Sequence, residues 1–183
     1  METTEKHSVL IVDDEPDILL SLNGLLRRDF QVFTAETGER ALEIMQERPI
    51  HVVMTDQRMP SMTGVELMGR VRSEHPEAIR IIFTGYADTR AVVEAINTGG
   101  LYRYITKPWD PDDLIDVIRE AANRYDAIVA QAELLRSMDS YLAETEKLVK
   151  ASNDSPPTPD DLALFNARHI EIRSLLQRIA GSK

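Results

Sequence analysis

Residues 52–64 read VVMTDQRMPSMTG, and the fold can be worked out from this stretch. Its apolar start is typical of a buried strand, yet the strand ends at the acidic residue Asp56, and a Met-Pro turn follows. A carboxylate at the edge of a hydrophobic core is unfavourable unless its charge is needed there. The rest of the chain must therefore supply both the neighbouring strands and a reason for this charge.

Short apolar runs alternate with longer segments of helical period from Ser8 onward. This alternation predicts a parallel α/β sheet in which a crossover helix follows each strand. The predicted strands span residues 9–12, 31–35, 51–55, 80–84 and 102–106. The predicted helices between them span residues 17–28, 38–48, 64–74 and 88–97. The fold class is therefore α/β, a doubly wound five-stranded parallel sheet. In a flavodoxin-like sheet of this class, ordered 2-1-3-4-5, the first and third strands are neighbours.

The character of the sequence changes after Trp109. Asp110-Pro111-Asp112-Asp113 is a strong helix start, and no Gly or Pro follows before Pro156, which predicts one long helix over residues 112–150. The apolar residues of this helix step by fours and threes, as in a coiled-coil seam: Leu114, Ile118, Ala121, Tyr125, Ile128, Ala132 and Leu135. The seam then slips, so the coil is either overwound or broken at residues 137–140.

A linker and a last amphipathic helix are expected at the end of the sequence. Residues 151–157 have the composition of a linker, and the helix is predicted within residues 158–181. Its apolar stripe has to be buried, either against the long helix, in a hairpin or between two chains, or against the sheet domain. The stripe consists of Leu162, Phe165, His169, Ile172, Leu176 and Ile179. His169 is interpreted as a packed or interface histidine rather than a ligand.

Composition argues against several classes of function. A formal net charge of −10 and a pI near 4.9 disfavour surfaces for nucleic acid or anionic membrane, so we expect no direct contact with either. The chain has no cysteine, and hence no disulfide, thiol nucleophile or Cys-based zinc site. It shows neither a signal peptide nor an apolar run of about 18 residues, which predicts a soluble, cytoplasmic protein.

Acidic residues follow two strands that are expected to be neighbours in the sheet. Asp13 and Asp14 come directly after the first strand, and Asp56 follows the third. Because the carboxyl ends of parallel strands share one edge, these three carboxylates are expected to converge. Like charges so close need either raised pKa values or a cation, and all-oxygen ligation favours a hard divalent ion such as Mg²⁺.

The same edge gains a hydroxyl from Thr84, at the end of the fourth strand, and an ammonium from Lys107, at the end of the fifth. A carboxylate nucleophile, a metal ion, a hydroxyl donor and a lysine are the parts needed to accept a phosphoryl group and neutralise its charge. Phosphorylation of Asp56 is the hypothesis that accounts for all four.

Four motifs therefore stand in order at matching strand ends: Asp13-Asp14, Asp56 followed by Met59-Pro60 and Gly64, Thr84-Gly85, and Lys107-Pro108. Each motif is common by chance, but the ordered set is highly specific. It resembles the receiver domain of two-component response regulators over about residues 7 to 124. The resemblance implies a phosphoprotein that is not an enzyme.

The resemblance implies that Asp56 is the phosphoacceptor and that the cofactor is Mg²⁺. Asp14 would be a metal ligand, Asp13 would hold the ion through water, and the carboxylate of Asp56 and the backbone carbonyl of Arg58 would complete the ligand set. Three acidic side chains and one carbonyl are thereby assigned to the metal.

The remaining site residues are implied in the same way. Lys107 resembles the lysine that pairs with the phosphoryl oxygens, and Thr84 the residue that moves to hydrogen-bond the phosphoryl group. Tyr104 resembles the switch aromatic that turns inward when the threonine moves. Receivers commonly have a cis peptide bond before the proline that follows the lysine, so we expect one at Lys107-Pro108.

The resemblance also implies partners and a division of the chain. A sensor histidine kinase or a histidine phosphotransfer protein would phosphorylate the receiver, residues 7–124. The output would be a change in protein–protein interaction or dimerisation through the helical tail, either as a homodimer or with a partner protein. In this tail, residues 125–150 form an extended, coiled-coil helix, residues 151–157 a linker and residues 158–181 a C-terminal amphipathic helix.

Two alternatives stay open at this stage. One is the N-terminal regulatory fragment of a longer regulator that has lost its output domain, because MTDQRMP and YRYITKPWD are similar to receivers joined to such domains. The other is a Mg²⁺-dependent aspartyl-phosphate phosphatase of the haloacid-dehalogenase type. Enzymes of that type carry an Asp-x-Asp pattern after the first strand. This chain has Asp13-Asp14-Glu15 at that place instead.

Overall fold

The computed structural model describes residues 6–85, 101–152 and 158–180. Within these ranges it contains a five-stranded sheet in which every pair of neighbouring strands is parallel, in the order β2-β1-β3-β4-β5. The strands are β1 (Ser8–Val12), β2 (Gln31–Ala35), β3 (Val52–Asp56), β4 (Ile79–Thr84) and β5 (Arg103–Thr106). The predicted fold class and strand order are confirmed, and each strand boundary lies within one residue of its predicted position.

The central strands are apolar along their length because both faces of a parallel sheet are covered. All five residues of β1 and all five of β3 are buried, whereas the edge strands β2 and β5 leave most of their residues partly or fully exposed. The pairing register keeps the carboxyl ends level, with Val12 beside Thr55 and Thr84 beside Thr106. The residues that follow these strands therefore emerge at one edge of the sheet.

Three helices of the sheet unit begin where local sequence signals place them. They are α1 (Pro16–Leu26), α2 (Gly38–Glu47) and α3 (Gly64–Glu74). The side chain of Thr37 caps α2 by accepting a hydrogen bond from the Arg40 N–H. A capping box begins α3, in which Thr63 and Glu66 each bond the backbone N–H of the other. The helix predicted over residues 88–97 lies outside the described residues.

One cluster of buried side chains joins α2 and α3 to the central strands. Its members include Leu10, Ala41, Met45, Val53, Leu67, Met68, Val71 and Ile82. Close packing of this kind leaves the strands little freedom to slide. The edge that carries Asp56 is therefore supported by a rigid core.

Two helices follow the sheet in sequence. α4 (Pro111–Ser152) is a single helix of 42 residues, and α5 (Pro159–Ala180) is a helix of 22 residues. Both predicted helices are confirmed to within two residues, and the alternative of a break at residues 137–140 is wrong. The chain divides into two compact units, Met1–Tyr125 and Asp126–Lys183. Over the ranges that the structure describes, none of the helices has the length and apolar character needed to span a membrane.

Within the second unit, α5 packs antiparallel against α4 as a helical hairpin. The rings of Tyr141 and Phe165 lie 4.9 Å apart, and Ser137 Oγ lies 3.3 Å from Glu171 Oε1 in a hydrogen bond. We call the buried and half-buried residues along this contact the contact seam. They are Leu134, Ser137, Tyr141, Glu144 and Leu148 on α4, and Phe165, Arg168, Ile172, Leu175 and Ile179 on α5.

The apolar stripe predicted for the last helix is only partly correct. Three of its six residues lie on the contact seam, but Leu162, His169 and Leu176 are exposed, the two leucines by 47% and 48%. Arg168 and Leu175, each one position earlier in the chain, face α4 instead. Arg168 Nε lies 3.7 Å from Glu144 Oε1 of α4, and Leu175 is buried, so these two positions rather than their successors line the contact.

Gly64 is required by close packing at the start of α3. A Cβ at this position would collide with the carbonyl oxygen of Asp56, whereas a Cβ at Gly69 on the same helix would meet nothing within 4 Å. Gly64→Ala is therefore expected to lower the free energy of unfolding by about 2 kcal/mol, a usual effect of overpacking. Gly69→Ala should raise it by roughly 0.5–1 kcal/mol, because a glycine within a helix is unfavourable.

Urea unfolding followed by the fluorescence of Trp109, the single tryptophan of the chain, would measure both changes. Gly69→Ala serves as the matched control on the same helix. Equal stability of the Gly64→Ala variant and the wild type would contradict the close approach described for the β3–α3 connection.

Candidate functional site

Three charged side chains meet at the carboxyl edge of the sheet. Lys107 Nζ lies 2.7 Å from Asp56 Oδ1 and 3.3 Å from Asp13 Oδ2. Asp13 is fully buried and Asp56 is 8% exposed, so both carboxylates are largely withdrawn from water. The structure thus brings together three of the predicted site residues, from the ends of β1, β3 and β5.

Backbone N–H groups hold both carboxylates in place. Asp13 Oδ1 accepts a hydrogen bond from the Glu15 N–H at 2.8 Å, which leaves its other oxygen to Lys107. Asp56 Oδ2 accepts from the Arg58 N–H, and its Oδ1 faces Lys107. Each carboxylate therefore has one oxygen tied to its own loop and one directed at the shared ammonium.

Gln57 braces the β3–α3 loop from inside. Its side chain is buried, its Oε1 accepts from the Val65 N–H at 3.2 Å, and its backbone carbonyl accepts from the Gly64 N–H at 3.0 Å. Ser61, at the tip of the loop, has a φ of 68°, in the left-handed region. These contacts fix the loop that carries Arg58. No sequence pattern singles out Gln57, because a lone glutamine beside an acid is not a motif.

Lys107 is positioned by its backbone and by an aromatic ring. Its N–H donates to the Thr84 carbonyl at 2.9 Å, and the Lys107-Pro108 bond is cis, as predicted. Its Nζ lies 4.8 Å from the ring centroid of Phe83, which Trp109 meets edge-on at 5.6 Å. The ring attracts the ammonium and limits where it can lie. Sequence reasoning missed Phe83, because in the sequence it is an ordinary apolar strand residue.

The charges of the site are unbalanced, since one ammonium serves two buried carboxylates. Burial raises the pKa of Asp13 above its usual value, and its bond to the Glu15 N–H and the charge of Lys107 only partly offset this effect. Burial alone would lower the pKa of Lys107, but the hydrogen bond and charge of Asp56, together with Asp13, outweigh it and raise that pKa. The pocket therefore favours added positive charge.

The expected convergence of three carboxylates is not observed. Asp14 is exposed, and no group of three His, Cys, Asp or Glu side chains within the described ranges is placed to hold a metal ion. The physical reason is that Asp13 pairs with Lys107 inside the site, whereas its neighbour Asp14 lies in solvent. Mg²⁺ in proteins keeps several water ligands and is bound through only one or two carboxylates. The two buried carboxylates of Asp13 and Asp56 therefore fit such an ion.

The two predicted switch residues lie on neighbouring strands. Thr84 is 2% exposed at the end of β4, and its hydroxyl donates to the Gly85 carbonyl at 3.2 Å. Tyr104 lies on β5, and 38% of its surface is exposed. Thr84 thus lies at the same edge as Asp56 and Lys107, while Tyr104 lies outside the core. Their roles in switching stay predictions.

With divalent metal chelated, Asp13→Asn is expected to stabilise the protein at pH 7 by about 1 kcal/mol, since it removes the more deeply buried of two carboxylates that share one ammonium and leaves Lys107 paired with Asp56. A raised pKa means that the folded protein binds the proton more tightly than the unfolded chain does. The ionised side chain therefore lowers the free energy of unfolding above its folded pKa, and this effect fades as pH falls toward 3.8, the ordinary pKa of an aspartate.

Urea unfolding in EDTA at pH 7 and at about pH 4 would measure this difference. The gain from Asp13→Asn should be present at the higher pH and largely absent at the lower one. Asp29→Asn, at an exposed carboxylate, is the matched control and should change stability little at either pH. A variant at Asp13 that is less stable than the wild type at pH 7 would contradict the charge imbalance.

Comparisons with known proteins agree with this geometry. Residues 9–119 match the family model of the response regulator receiver domain. Over 114 residues the chain is 41% identical to the hydrogenase transcriptional regulatory protein HoxA of Cupriavidus necator. The aligned segment covers 62% of this chain and 24% of HoxA. The chain thus spans about a quarter of the length of HoxA.

Solved structures show the same likeness. A response regulator receiver domain protein from Clostridium thermocellum is similar with a TM-score of 0.63 and 32% identity, over 67% of this chain and 98% of that one. The response regulator TrrA of Thermotoga maritima, solved in complex with Mg²⁺ and BeF, gives a TM-score of 0.57 and 28% identity, over 63% and 98%. The family model matches more than half of the residues of this chain, so the chain belongs to the response regulator receiver family.

Proposed function

We propose that this chain is a two-component response regulator that accepts a phosphoryl group on Asp56 from a sensor histidine kinase or a histidine phosphotransfer protein, with Mg²⁺ as cofactor. One observation carries the proposal: an oxygen of Asp56 lies 2.7 Å from Lys107 at the edge where the loops of a receiver meet. A carboxylate nucleophile held beside a fixed ammonium is suited to receiving a phosphoryl group. The relatives are transcriptional regulatory proteins, which agrees with a signalling role.

In the proposed reaction, a carboxylate oxygen of Asp56 forms a bond to the phosphorus of a phosphohistidine. The nitrogen–phosphorus bond of the donor breaks, and its electron pair leaves with the donor imidazole. The ammonium of Lys107 would neutralise part of the negative charge on the transferred group. Thr84, at the same edge, would donate a hydrogen bond from its hydroxyl to a phosphoryl oxygen. When bound, Mg²⁺ supplies further neutralisation of this charge.

Asp13 and Asp56, which are buried in the site, would hold the metal ion together with the backbone carbonyl of Arg58, and Asp14 would join them from its solvent-exposed position. The burial of Asp13 and Asp56 beside the single ammonium of Lys107 supports this assignment, because two carboxylates withdrawn from water share one positive charge. The complex of the similar protein TrrA with Mg²⁺ and BeF supports it as well. The Arg58 N–H already bonds Asp56, so the loop that carries the carbonyl is tied to the acceptor.

The output is proposed to pass from the receiver, residues 7–124, to the helical tail. Phosphorylation adds roughly two negative charges at Asp56, and Thr84 and Tyr104 would rearrange in response. This rearrangement would change the packing or dimerisation of residues 125–150 and 158–181, joined by the linker 151–157. The continuity of α4 from Pro111 to Ser152 supports the proposal, because a helix that begins beside the site transmits small changes along its length.

Asp56→Asn is expected to abolish phosphorylation by acetyl phosphate in the presence of Mg²⁺, because a neutral amide is a poor nucleophile. Mass spectrometry of the intact protein would measure the label, and the wild type should take up a single phosphoryl group. Asp29→Asn changes an exposed carboxylate and should label at the wild-type rate. Labelling of Asp56→Asn at that rate would exclude Asp56 as the acceptor.

The same assay separates a receiver from a phosphatase of the haloacid-dehalogenase type. A receiver takes up one equivalent and stops, whereas a phosphatase releases phosphate from phosphomonoesters over many turnovers. Sustained turnover of phosphomonoesters by the wild type in the presence of Mg²⁺ would favour the enzyme.

Mg²⁺ with beryllium fluoride, which mimics a phosphoryl group on a carboxylate, is expected to change either the molar mass or the amide exchange of residues 126–180. Light scattering and hydrogen exchange would measure these two quantities. Asp56→Asn is the control and should not respond. A wild-type protein that binds beryllium fluoride without either change would show that the site does not communicate with the tail.

A further inference from the structure

The helical hairpin of residues 126–180 carries large apolar side chains on its outside. We call them the outer apolar face; they are Leu135, Met138, Leu142 and Val149 on α4, and Leu162 and Leu176 on α5. Each is between 42% and 61% exposed. Leu135, Leu142 and Val149 recur every seven residues, the repeat of a coiled-coil seam. Both helices therefore present an apolar stripe that the hairpin itself does not cover.

The two stripes lie on one side of the hairpin. On α4 each outer residue follows a residue of the contact seam by one position, as Leu142 follows Tyr141. On α5, Leu176 likewise follows Leu175, and Leu162 lies three positions before Phe165, which places it about 60° from Phe165 in the same sense of rotation. One position is a rotation of about 100° around the helix axis. Because the helices face each other and run antiparallel, equal rotations in the same sense bring both stripes to the same side.

The hairpin has little core of its own. Of its side chains that the structure describes, Ser137 and Leu175 are the buried ones, and the contact seam also contains the ion pair of Arg168 with Glu144. Two helices with so small an apolar core fall short of what an independently stable unit requires. Burial of the outer apolar face would supply the missing hydrophobic contact.

We propose that the outer apolar face binds the same face of a second copy of this chain, so that two hairpins form a four-helix bundle around a twofold axis. The contact is present in the unphosphorylated protein and rests on the hairpin alone. Its regulation through Asp56 rests on the proposed function. The partner of the helical tail is thus a second copy of the same chain.

The area of the face suits a second copy. About half of six large apolar side chains amounts to on the order of 500 Å², which is within the range of about 300–600 Å² for the largest, often functional, apolar patch of a monomer. Two such faces together would bury about 1,000 Å², the size at which specific interfaces begin. A twofold interface also needs only one surface, which each copy already carries.

Charge permits the same pairing. Residues 126–183 contain nine Asp or Glu and seven Lys or Arg, a formal net charge of −2, although the whole chain carries −10. The electrostatic repulsion between two tails is therefore weaker than it would be if the net charge of −10 were spread evenly along the chain. The acidic excess of the protein lies in residues 1–125.

The molar mass of the full chain, measured by light scattering, tests the proposal. The wild type is expected at twice the 20.7 kDa of one chain. Leu142→Glu places a charge within the outer apolar face and should reduce the mass to that of one chain. Leu164→Glu is the matched control, because Leu164 is also 57% exposed but precedes Phe165 on the contact seam and so lies on the opposite side. It should keep the doubled mass.

Cysteine cross-linking gives a second measurement that does not depend on a charged variant. The chain has no cysteine, so a single introduced one reports on its own position. Under mild oxidation Met138→Cys should form a disulfide-linked dimer, and Leu164→Cys should not. Unchanged helical circular dichroism of Leu142→Glu would show that its lower mass is not caused by unfolding.

A wild-type protein with the mass of one chain would overturn the proposal, as would an equal loss of mass in Leu142→Glu and Leu164→Glu. Failure of the proposed function would look different. The Asp56→Asn variant should lose labelling by acetyl phosphate and keep the doubled mass. A dimer that cannot be phosphorylated and a phosphorylated monomer are therefore distinguishable results.

Discussion

One ammonium group between two buried carboxylates organises the carboxyl edge of this receiver. Lys107 lies within 3.3 Å of both Asp13 and Asp56, and so it connects loops that are far apart in sequence. An ion pair removed from water is favourable only when its hydrogen bonds are satisfied, and here each carboxylate also accepts a backbone N–H. The arrangement leaves one negative charge in excess, which would favour a bound cation as proposed above.

The surroundings of this group are built to hold it still. The ring of Phe83 lies beneath the ammonium, the buried amide of Gln57 braces the loop behind Asp56, and Gly64 lets that loop pass close to the strand. Each of these residues acts on the position of a charge rather than on the chemistry itself. A receiver needs this rigidity, because only a preorganised site can neutralise a transferred phosphoryl group without first rearranging.

The tail follows a different physical rule. In the sheet unit, side chains from several elements share one closely packed cluster, whereas the helical hairpin has a narrow seam that includes the Arg168 ion pair. Such a seam specifies how two helices are rotated against each other but contributes little hydrophobic stabilisation. The apolar residues that would contribute it lie on the outside of the hairpin, where the proposed contact with a second copy would bury them.

The sequence by itself determined the alternation of strands and helices, the strand ends at which Asp56, Thr84 and Lys107 lie, and the continuity of the long helix, because period, helix caps and strand ends are local properties. The strand order was expected from the resemblance to receivers, since pairing between strands is not local. Only the tertiary structure decided that Asp13 rather than Asp14 faces Lys107, that Phe83 and Gln57 support the site, and that Leu175 rather than Leu176 faces α4. These outcomes depend on partners distant in sequence. Adjacent residues of a helix or strand project in different directions, so a shift of one position places a different side chain at the contact. Only packing selects between the two arrangements.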